Sequence, residues 1–145
     1  MRKRSIIALS TFLFIALVTL FLIYNQQTKG LNSRDYIQSS TPTLFFHGYG
    51  SSANAEKHMA EAARKAGVTQ TIITATVDSH AQVTLKGDIP KNAVNPIVMV
   101  EFKDNRNANY AQDGEYAAAV VRELQARYGF KKMNFVAHSM GNMSI

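Results

Sequence analysis

Cysteine is absent from the 145 residues, and this absence narrows the possible chemistry at once. The chain can form no disulfide, no thiolate metal site and no cysteine nucleophile, and it has no cysteine to carry a lipid anchor. Excess charge is also missing from most of the chain, since residues 31–145 hold twelve Lys and Arg against ten Asp and Glu. We therefore expect no nucleic-acid partner, because such a partner requires a clustered basic face.

Charged side chains are also lacking from residues 5–24, and thirteen of these twenty positions are Leu, Ile, Phe or Val. A helix of this length would be about 30 Å long, which matches the hydrocarbon core of a bilayer. Arg2, Lys3 and Arg4 precede the run, and basic residues favour the cytoplasmic side. The sequence thus predicts that residues 1–24 form a cytoplasmic basic tip and a single-pass transmembrane helix, with the rest of the chain outside the cell membrane.

A cleaved signal peptide is the alternative to this anchor. The apolar region of such a peptide is usually about 7–15 residues long and is followed by an A-x-A-like site. Here the run is longer, and Thr28 and Gly30 form only a poor cleavage pair. An uncleaved anchor is favoured, and cleavage would make the protein a secreted one. Residues 25–42 are polar and are interpreted as a spacer.

Strand-like and helix-like segments alternate over residues 43–145, the predicted domain. Short apolar or β-branched runs predict strands at 43–46, 71–77, 97–100 and 133–137, and an alternating run at 83–89 predicts a hairpin with 71–77. Helices are predicted at 53–66 and 111–128. This order is typical of an α/β fold, in which a mostly parallel sheet is covered by flanking helices.

Periodic apolar residues predict which side of each helix is buried. In the second helix, Tyr116, Val120 and Leu124 lie on one stripe, and Gly129 follows where the helix should end. In the first helix the corresponding stripe consists of small or apolar residues, namely Ala55, Met59, Ala62 and Ala66.

Ser139 is the candidate nucleophile. It lies in the segment Ala137-His138-Ser139-Met140-Gly141, between a predicted strand and a predicted helix. A nucleophile elbow requires this context, and its turn is so tight that the residues two before and two after the serine must be small. Ala137 and Gly141 meet that requirement.

A second motif, His47-Gly48-Tyr49-Gly50, directly follows the first predicted strand. Acyl transfer requires two backbone N–H groups aimed at the developing oxyanion, one from such a loop and one from the residue after the nucleophile. We assign these donors to Tyr49 and Met140. The two glycines let the loop pass close to a substrate, and His47 is expected to stabilise the loop by hydrogen bonding.

These two motifs together resemble the α/β-hydrolase superfamily. Over residues 41–145, the chain resembles more closely the uncharacterised cell-surface α/β-hydrolases of Gram-positive bacteria. The segments that carry this closer resemblance are Asn95–Val98, Phe102–Asn105 and 137–142. The resemblance implies esterase- or lipase-like hydrolysis of an unidentified carboxylic ester, a small-molecule or lipid-like substrate, and a supporting role for His138. We expect no cofactor.

No metal site is expected either. Asp78, Asp88, Asp104 and Asp113 fall in predicted turns, at a strand edge or at a helix start, where solvation and capping explain them.

Two members of a catalytic triad are missing from the chain. In this fold the acid and then the histidine follow the serine, but no acidic residue or histidine follows Ser139. His138 precedes it on an extended segment, is expected to turn away from it, and would be a poor base. We therefore expect residues 43–145 to be the N-terminal part of a hydrolase domain, truncated after the elbow and inactive alone. The alternative is a truncated, non-catalytic, membrane-tethered remnant of such a hydrolase.

Overall fold

The computed structural model of the protein describes residues 11–22 and 36–145. Residues 11–22 are helical and are called α1 here. In these two ranges, no helix combines the length and the apolar character needed to cross a membrane. The predicted membrane helix at 5–24 and the predicted spacer at 25–42 both extend outside the described residues, as do Thr28 and Gly30.

A five-stranded sheet lies at the centre of residues 36–145. Its strands are β1 (Thr43–Phe46), β2 (Ile72–Val77), β3 (Val83–Lys86), β4 (Ile97–Phe102) and β5 (Asn134–Ala137). Their spatial order is β3-β2-β4-β1-β5, and only β3 runs antiparallel to its neighbour. The predicted mostly parallel sheet with a hairpin is thus confirmed. β3 is shorter than predicted because Gly87, at φ 104°, turns the chain away.

The long helix α3 (Tyr110–Tyr128) covers one face of the sheet. Its predicted stripe is confirmed, since Tyr116, Val120 and Leu124 are buried in the same core cluster as the β1 side chains Leu44 and Phe46. Asn109 caps its start by accepting a hydrogen bond from the Gln112 N–H. Gly129 ends it with φ 73°, a left-handed conformation that glycine adopts without strain.

The shorter helix α2 (Lys57–Lys65) covers the opposite face, where Ala60 packs with Phe45 and Ile97. The predicted stripe of this helix is wrong: Met59 is 47% exposed, and the buried positions include Ala60 and Glu56. Apolar periodicity assigns charged residues to the solvent side, whereas Glu56 is buried together with a partner described below. A separate 3₁₀ turn, Ala53–Ala55, precedes α2.

The strand β5 lies at one edge of the sheet and pairs with β1. Phe135 is 45% exposed and Val136 is 38% exposed, so this parallel edge is apolar and open among the described residues. The opposite edge is the antiparallel strand β3, whose Thr84 and Lys86 face solvent. The two edges of the sheet therefore differ in chemistry, and only the β5 edge adjoins the Ser139 turn.

Candidate active site

The loops that follow β1, β4 and β5 meet at one edge of the sheet, because these strands are parallel. Phe46 of β1 lies opposite Val100 of β4 on one side and Ala137 of β5 on the other. The loop after β1 therefore lies between the other two. In open α/β sheets, ligands bind at this carboxyl edge of the strands.

Ser139 follows β5 in a strained conformation. The strand ends at Ala137, His138 is extended with φ −129° and ψ 153°, and Ser139 begins a 3₁₀ turn, Ser139–Met143. The φ of Ser139 is 51°, a left-handed value that costs a residue other than glycine about 1–2 kcal/mol. Such a conformation persists only where the surrounding structure enforces it, as at many active sites.

Gly141 provides part of that enforcement, because its backbone lies against the end of β1. A Cβ at this position would lie 2.7 Å from the carbonyl oxygen of Phe46 and 2.8 Å from that of His47. Both atoms belong to the backbone and cannot rotate aside. The His138 N–H also donates a 3.4 Å hydrogen bond to the Phe46 oxygen. The Ser139 turn is thus fitted onto the end of β1 through a position that holds only glycine.

The loop after β1 touches the candidate nucleophile at Gly48. A Cβ on Gly48 would lie 3.0 Å from Cβ of Ser139 and 3.5 Å from its Oγ. The Gly48 carbonyl accepts a hydrogen bond from the Ser51 N–H at 3.2 Å. Since a trans peptide directs its N–H opposite to its carbonyl, the Tyr49 N–H points away from Ser51. In the part of the chain that the structure describes, no acceptor pairs with the N–H of Tyr49 or Met140.

His47 is 2% exposed and uses both ring nitrogens to hold this loop. Its Nε2 accepts a hydrogen bond from the Phe102 N–H at 3.1 Å. An accepting Nε2 requires the proton on Nδ1, which therefore donates to the Gly48 carbonyl at 2.9 Å. With both nitrogens engaged, the His47 ring cannot accept the Ser139 proton.

The loop after β4 holds the same segment from the other side. The Gly50 N–H donates to the Asn105 carbonyl at 2.6 Å, and the Asn105 side-chain amide donates to the Ser51 carbonyl at 2.6 Å. Gly50 has φ 66°, which the absence of a side chain permits. The loop from His47 to Ser51 is therefore fastened to β4 and to the loop that follows it.

His138 is paired with a carboxylate that the sequence analysis missed. Its Nδ1 lies 2.7 Å from Oε1 of Glu56, which is 3% exposed. The His138 ring lies near the loop after β1, because a Cβ on Gly48 would lie 3.1 Å from its Nε2. Apolar periodicity carries no signal for Glu56, because it assigns a carboxylate to the solvent side of a helix.

Asp113 also departs from its predicted role, because it is fully buried in the first turn of α3. Neither of its carboxylate oxygens has a hydrogen-bond partner among the described residues. Burial raises the pKa of this carboxyl, the charge of Asp104 raises it further, and interaction with His47 lowers it. Asp78, by contrast, accepts hydrogen bonds from the N–H groups of Gln82 and His80, which lower its pKa, as expected of a turn residue.

The arrangement places a strained, exposed serine beside a loop in which the Tyr49 N–H has no acceptor among the described residues. Within the described residues, no imidazole or carboxylate makes a hydrogen bond with Oγ of Ser139. What the geometry offers is therefore a candidate nucleophile, Ser139, with candidate oxyanion donors in the N–H groups of Tyr49 and Met140.

Comparison with known proteins agrees with this description. Residues 31–145 match the family described as alpha/beta hydrolase of unknown function (DUF915). The crystal structure of the lin2722 gene product from Listeria innocua is similar with a TM-score of 0.67 and 27% identity, over 73% of this chain and 42% of that protein.

A candidate cell surface hydrolase from Lactobacillus plantarum WCFS1 has a similar fold, with a TM-score of 0.56 and 21% identity. The match covers 67% of this chain and 39% of that protein. The chain thus spans about two fifths of the length of the solved structures that it matches. No curated protein matches it significantly.

Proposed function

The chain belongs to the alpha/beta hydrolases of unknown function, and we propose that it carries the nucleophile and the oxyanion hole of a serine hydrolase that cleaves carboxylic esters. The observation that carries the proposal is the contact between two loops. Ser139 has a left-handed φ of 51° after β5, and its Oγ faces Gly48 of the loop after β1.

The proposed reaction uses these groups in the usual order for acyl transfer. Oγ of Ser139 attacks the ester carbonyl carbon while a base accepts its proton, and the resulting oxyanion receives hydrogen bonds from the N–H groups of Tyr49 and Met140. Collapse of this intermediate breaks the ester C–O bond, and the base returns its proton to the departing alcohol. The remaining acyl-serine is then hydrolysed by water to the free acid and Ser139. His47, Gly48, Gly50, Ala137 and Gly141 support this geometry through the contacts described above.

The base is proposed to be a histidine outside residues 1–145, oriented by an acid that precedes it in the chain, as this fold orders its triad. His47 is unsuitable because both of its ring nitrogens are engaged. The isolated chain should then lack activity, since loss of the triad histidine costs about 10⁶-fold in turnover.

Hydrolysis of p-nitrophenyl esters and labelling by a fluorophosphonate probe test this assignment. The full-length natural protein should show both, and Ser139→Ala should abolish both, whereas Ser79→Ala, a change at an exposed turn serine, should not. Strong Ser139-dependent labelling of residues 1–145 alone would contradict the location of the base. Failure of the natural protein in both assays would instead support the non-catalytic, membrane-tethered remnant.

We propose that the enzyme is anchored by a membrane helix at residues 5–24 and faces outward. The length and charge pattern of that segment support the proposal, as does the description of the Lactobacillus protein as a candidate cell surface hydrolase. Protease treatment of intact cells tests it, because a C-terminal tag should be removed before lysis. Protection of the tag until lysis would contradict the orientation, and release of the tagged protein into the medium would indicate a cleaved signal.

A further inference from the structure

The buried Glu56 and the half-exposed His138 face each other across two structural elements, the start of α2 and the Ser139 turn. We propose that they form a positioning pair, which locks the nucleophile turn onto α2 and holds Ser139 in its strained conformation. The inference rests on the proposed function, since it assigns a role around the same serine.

Glu56 requires a partner because of where it lies. Its side chain is 5% exposed and belongs to the buried side of α2, near Ala60. An ionised carboxylate in such a place is costly unless it is paired and hydrogen-bonded. Among the described residues, Nδ1 of His138 is the partner that meets it, at 2.7 Å. The position of Glu56 is therefore coupled to that of His138.

His138 is held at both its backbone and its ring. Its N–H donates to the Phe46 carbonyl, and its Nδ1 donates to Glu56. The ring also lies beside Gly48, since a Cβ at Gly48 would be 3.1 Å from Nε2. The next residue is Ser139, whose left-handed φ would relax if the preceding residue could move. Restraint of His138 thus acts directly on the orientation of the Ser139 hydroxyl.

The pair also connects the two loops of the candidate site. The loop after β1 leads into the 3₁₀ turn Ala53–Ala55, whose start is capped by the Ser52 side chain and whose end is Glu56. One side of this hydrogen-bonded pair therefore belongs to the continuation of the loop after β1, and the other belongs to the Ser139 turn. A displacement of either segment is therefore transmitted to the other through this contact.

The variants are chosen to separate the hydrogen bond from the charge and from the bulk of the ring. Glu56→Gln keeps the shape and an acceptor oxygen but removes the charge, and Glu56→Leu removes both. His138→Asn can place an amide nitrogen near the position of Nδ1, whereas His138→Gln places its amide nearer to that of Nε2. Glu61→Gln is the matched control, because Glu61 lies on the same helix with its side chain 41% exposed.

Steady-state hydrolysis of p-nitrophenyl acetate by the full-length natural protein is the first measurement. Displacing the reacting hydroxyl by about 1 Å can cost about 100-fold in rate, so kcat should fall by about 10- to 100-fold in Glu56→Leu and His138→Gln with KM nearly unchanged. Glu56→Gln and His138→Asn should retain most of kcat. Glu56→Leu/His138→Gln should be no worse than either single variant, because both changes break one contact.

NMR of the His138 ring in residues 1–145 is the second measurement, and it does not depend on hydrolysis. Glu56→Leu should shift the His138 Nδ1 resonance, and Glu61→Gln should not. Thermal unfolding identifies any variant that has lost its fold. If Glu56→Leu is unfolded, the comparison of His138→Gln with His138→Asn tests the pair in its place.

The two proposals fail in different ways. Full kcat in folded Glu56→Leu and His138→Gln variants, with Ser139→Ala inactive, overturns the positioning pair and leaves the serine hydrolase in place. An unchanged His138 resonance in Glu56→Leu overturns the pair as well. Undiminished hydrolysis in Ser139→Ala overturns the proposed function, and the positioning role with it, even where the NMR contact is present.

Discussion

The two loops of the candidate site are held by different forces. The loop after β1 is fixed by polar contacts, in which His47 joins the Gly48 carbonyl to the Phe102 N–H and Asn105 binds Gly50 and Ser51. The turn after β5 has fewer such contacts. It is fixed by the steric fit of Gly141 against the end of β1 and by the hydrogen bond between His138 and Glu56.

This difference indicates which loop tolerates which change. A loop held by hydrogen bonds fails when a buried donor or acceptor loses its partner. A turn held by shape fails when an atom is added where the backbone leaves no space. Substitutions that alter only polarity or only volume should therefore separate the two loops, and equilibrium unfolding of residues 1–145 in denaturant measures the effect.

The largest expected effect is that of Gly141→Ala. The added Cβ would lie within 2.8 Å of the carbonyl oxygens of Phe46 and His47, so we expect a loss of about 2–3 kcal/mol in the free energy of unfolding. Gly114→Ala is the control, because a Cβ there meets nothing within 4 Å inside the helix α3. It should stabilise the protein by up to about 1 kcal/mol. Equal effects of the two changes would show that the turn has more room than the structure indicates.

His47→Leu tests the polar loop and should cost about 2 kcal/mol, because the buried Phe102 N–H loses its acceptor. His47→Gln should cost less, since its amide oxygen can accept that hydrogen bond. The comparison of the two variants in denaturant checks the reason for the loss as well as its size. If the His47→Leu variant proves as stable as His47→Gln, steric packing against Phe102 and not hydrogen bonding holds this loop.

Asp113, whose charge interacts with His47, makes the free energy of unfolding depend on pH. Burial raises its folded-state pKa above the ordinary value near 4, so the folded state binds the proton more tightly. Stability from this group is therefore full below about pH 4 and is lost as pH rises through the folded-state pKa. Asp113→Asn should raise the free energy of unfolding at pH 7 by about 1 kcal/mol and flatten this decline.

Asp78→Asn should change the pH dependence of stability in the opposite direction. The pKa of Asp78 is lowered by backbone hydrogen bonds, so its contribution is present at neutral pH and is lost as the pH falls. Unfolding free energies measured from pH 2 to pH 7 should differ from wild type in their pH dependence, above about pH 4 for Asp113→Asn and below about pH 4 for Asp78→Asn. Parallel curves for Asp113→Asn and the wild type would mean that the Asp113 carboxyl is solvated in solution.

The smallest expected effect is a gain in stability from Ser139→Gly, by about 0.5–1 kcal/mol, because glycine adopts a φ of 51° without strain. Ala81→Gly is the matched control at φ 58° in the hairpin connection, away from the Ser139 turn. A similar gain at both sites would indicate ordinary backbone strain. A loss at Ser139 alone would show that its side chain stabilises the turn.

Strand and helix positions were predictable where burial follows from local pattern. The continuous apolar run at β1 and the Tyr116–Val120–Leu124 stripe of α3 were both confirmed, because a segment buried by its neighbours must present apolar side chains at the period of its own geometry. The predicted buried stripe of α2 was wrong, because apolar periodicity cannot assign a carboxylate such as Glu56 to the interior. The burial of Glu56 depends on His138, which lies 82 residues away in sequence.

The sequence by itself therefore determined the α/β architecture and the two motifs, because repeating polarity and small-residue spacing are local properties. Only the tertiary structure decided that Gly48 touches Ser139, that Gly141 fits against the carbonyls at the end of β1 and of the next residue, and that Glu56 meets His138. These contacts arise where parallel strands bring distant segments to one edge of the sheet. Their geometry depends on distances that no local pattern specifies.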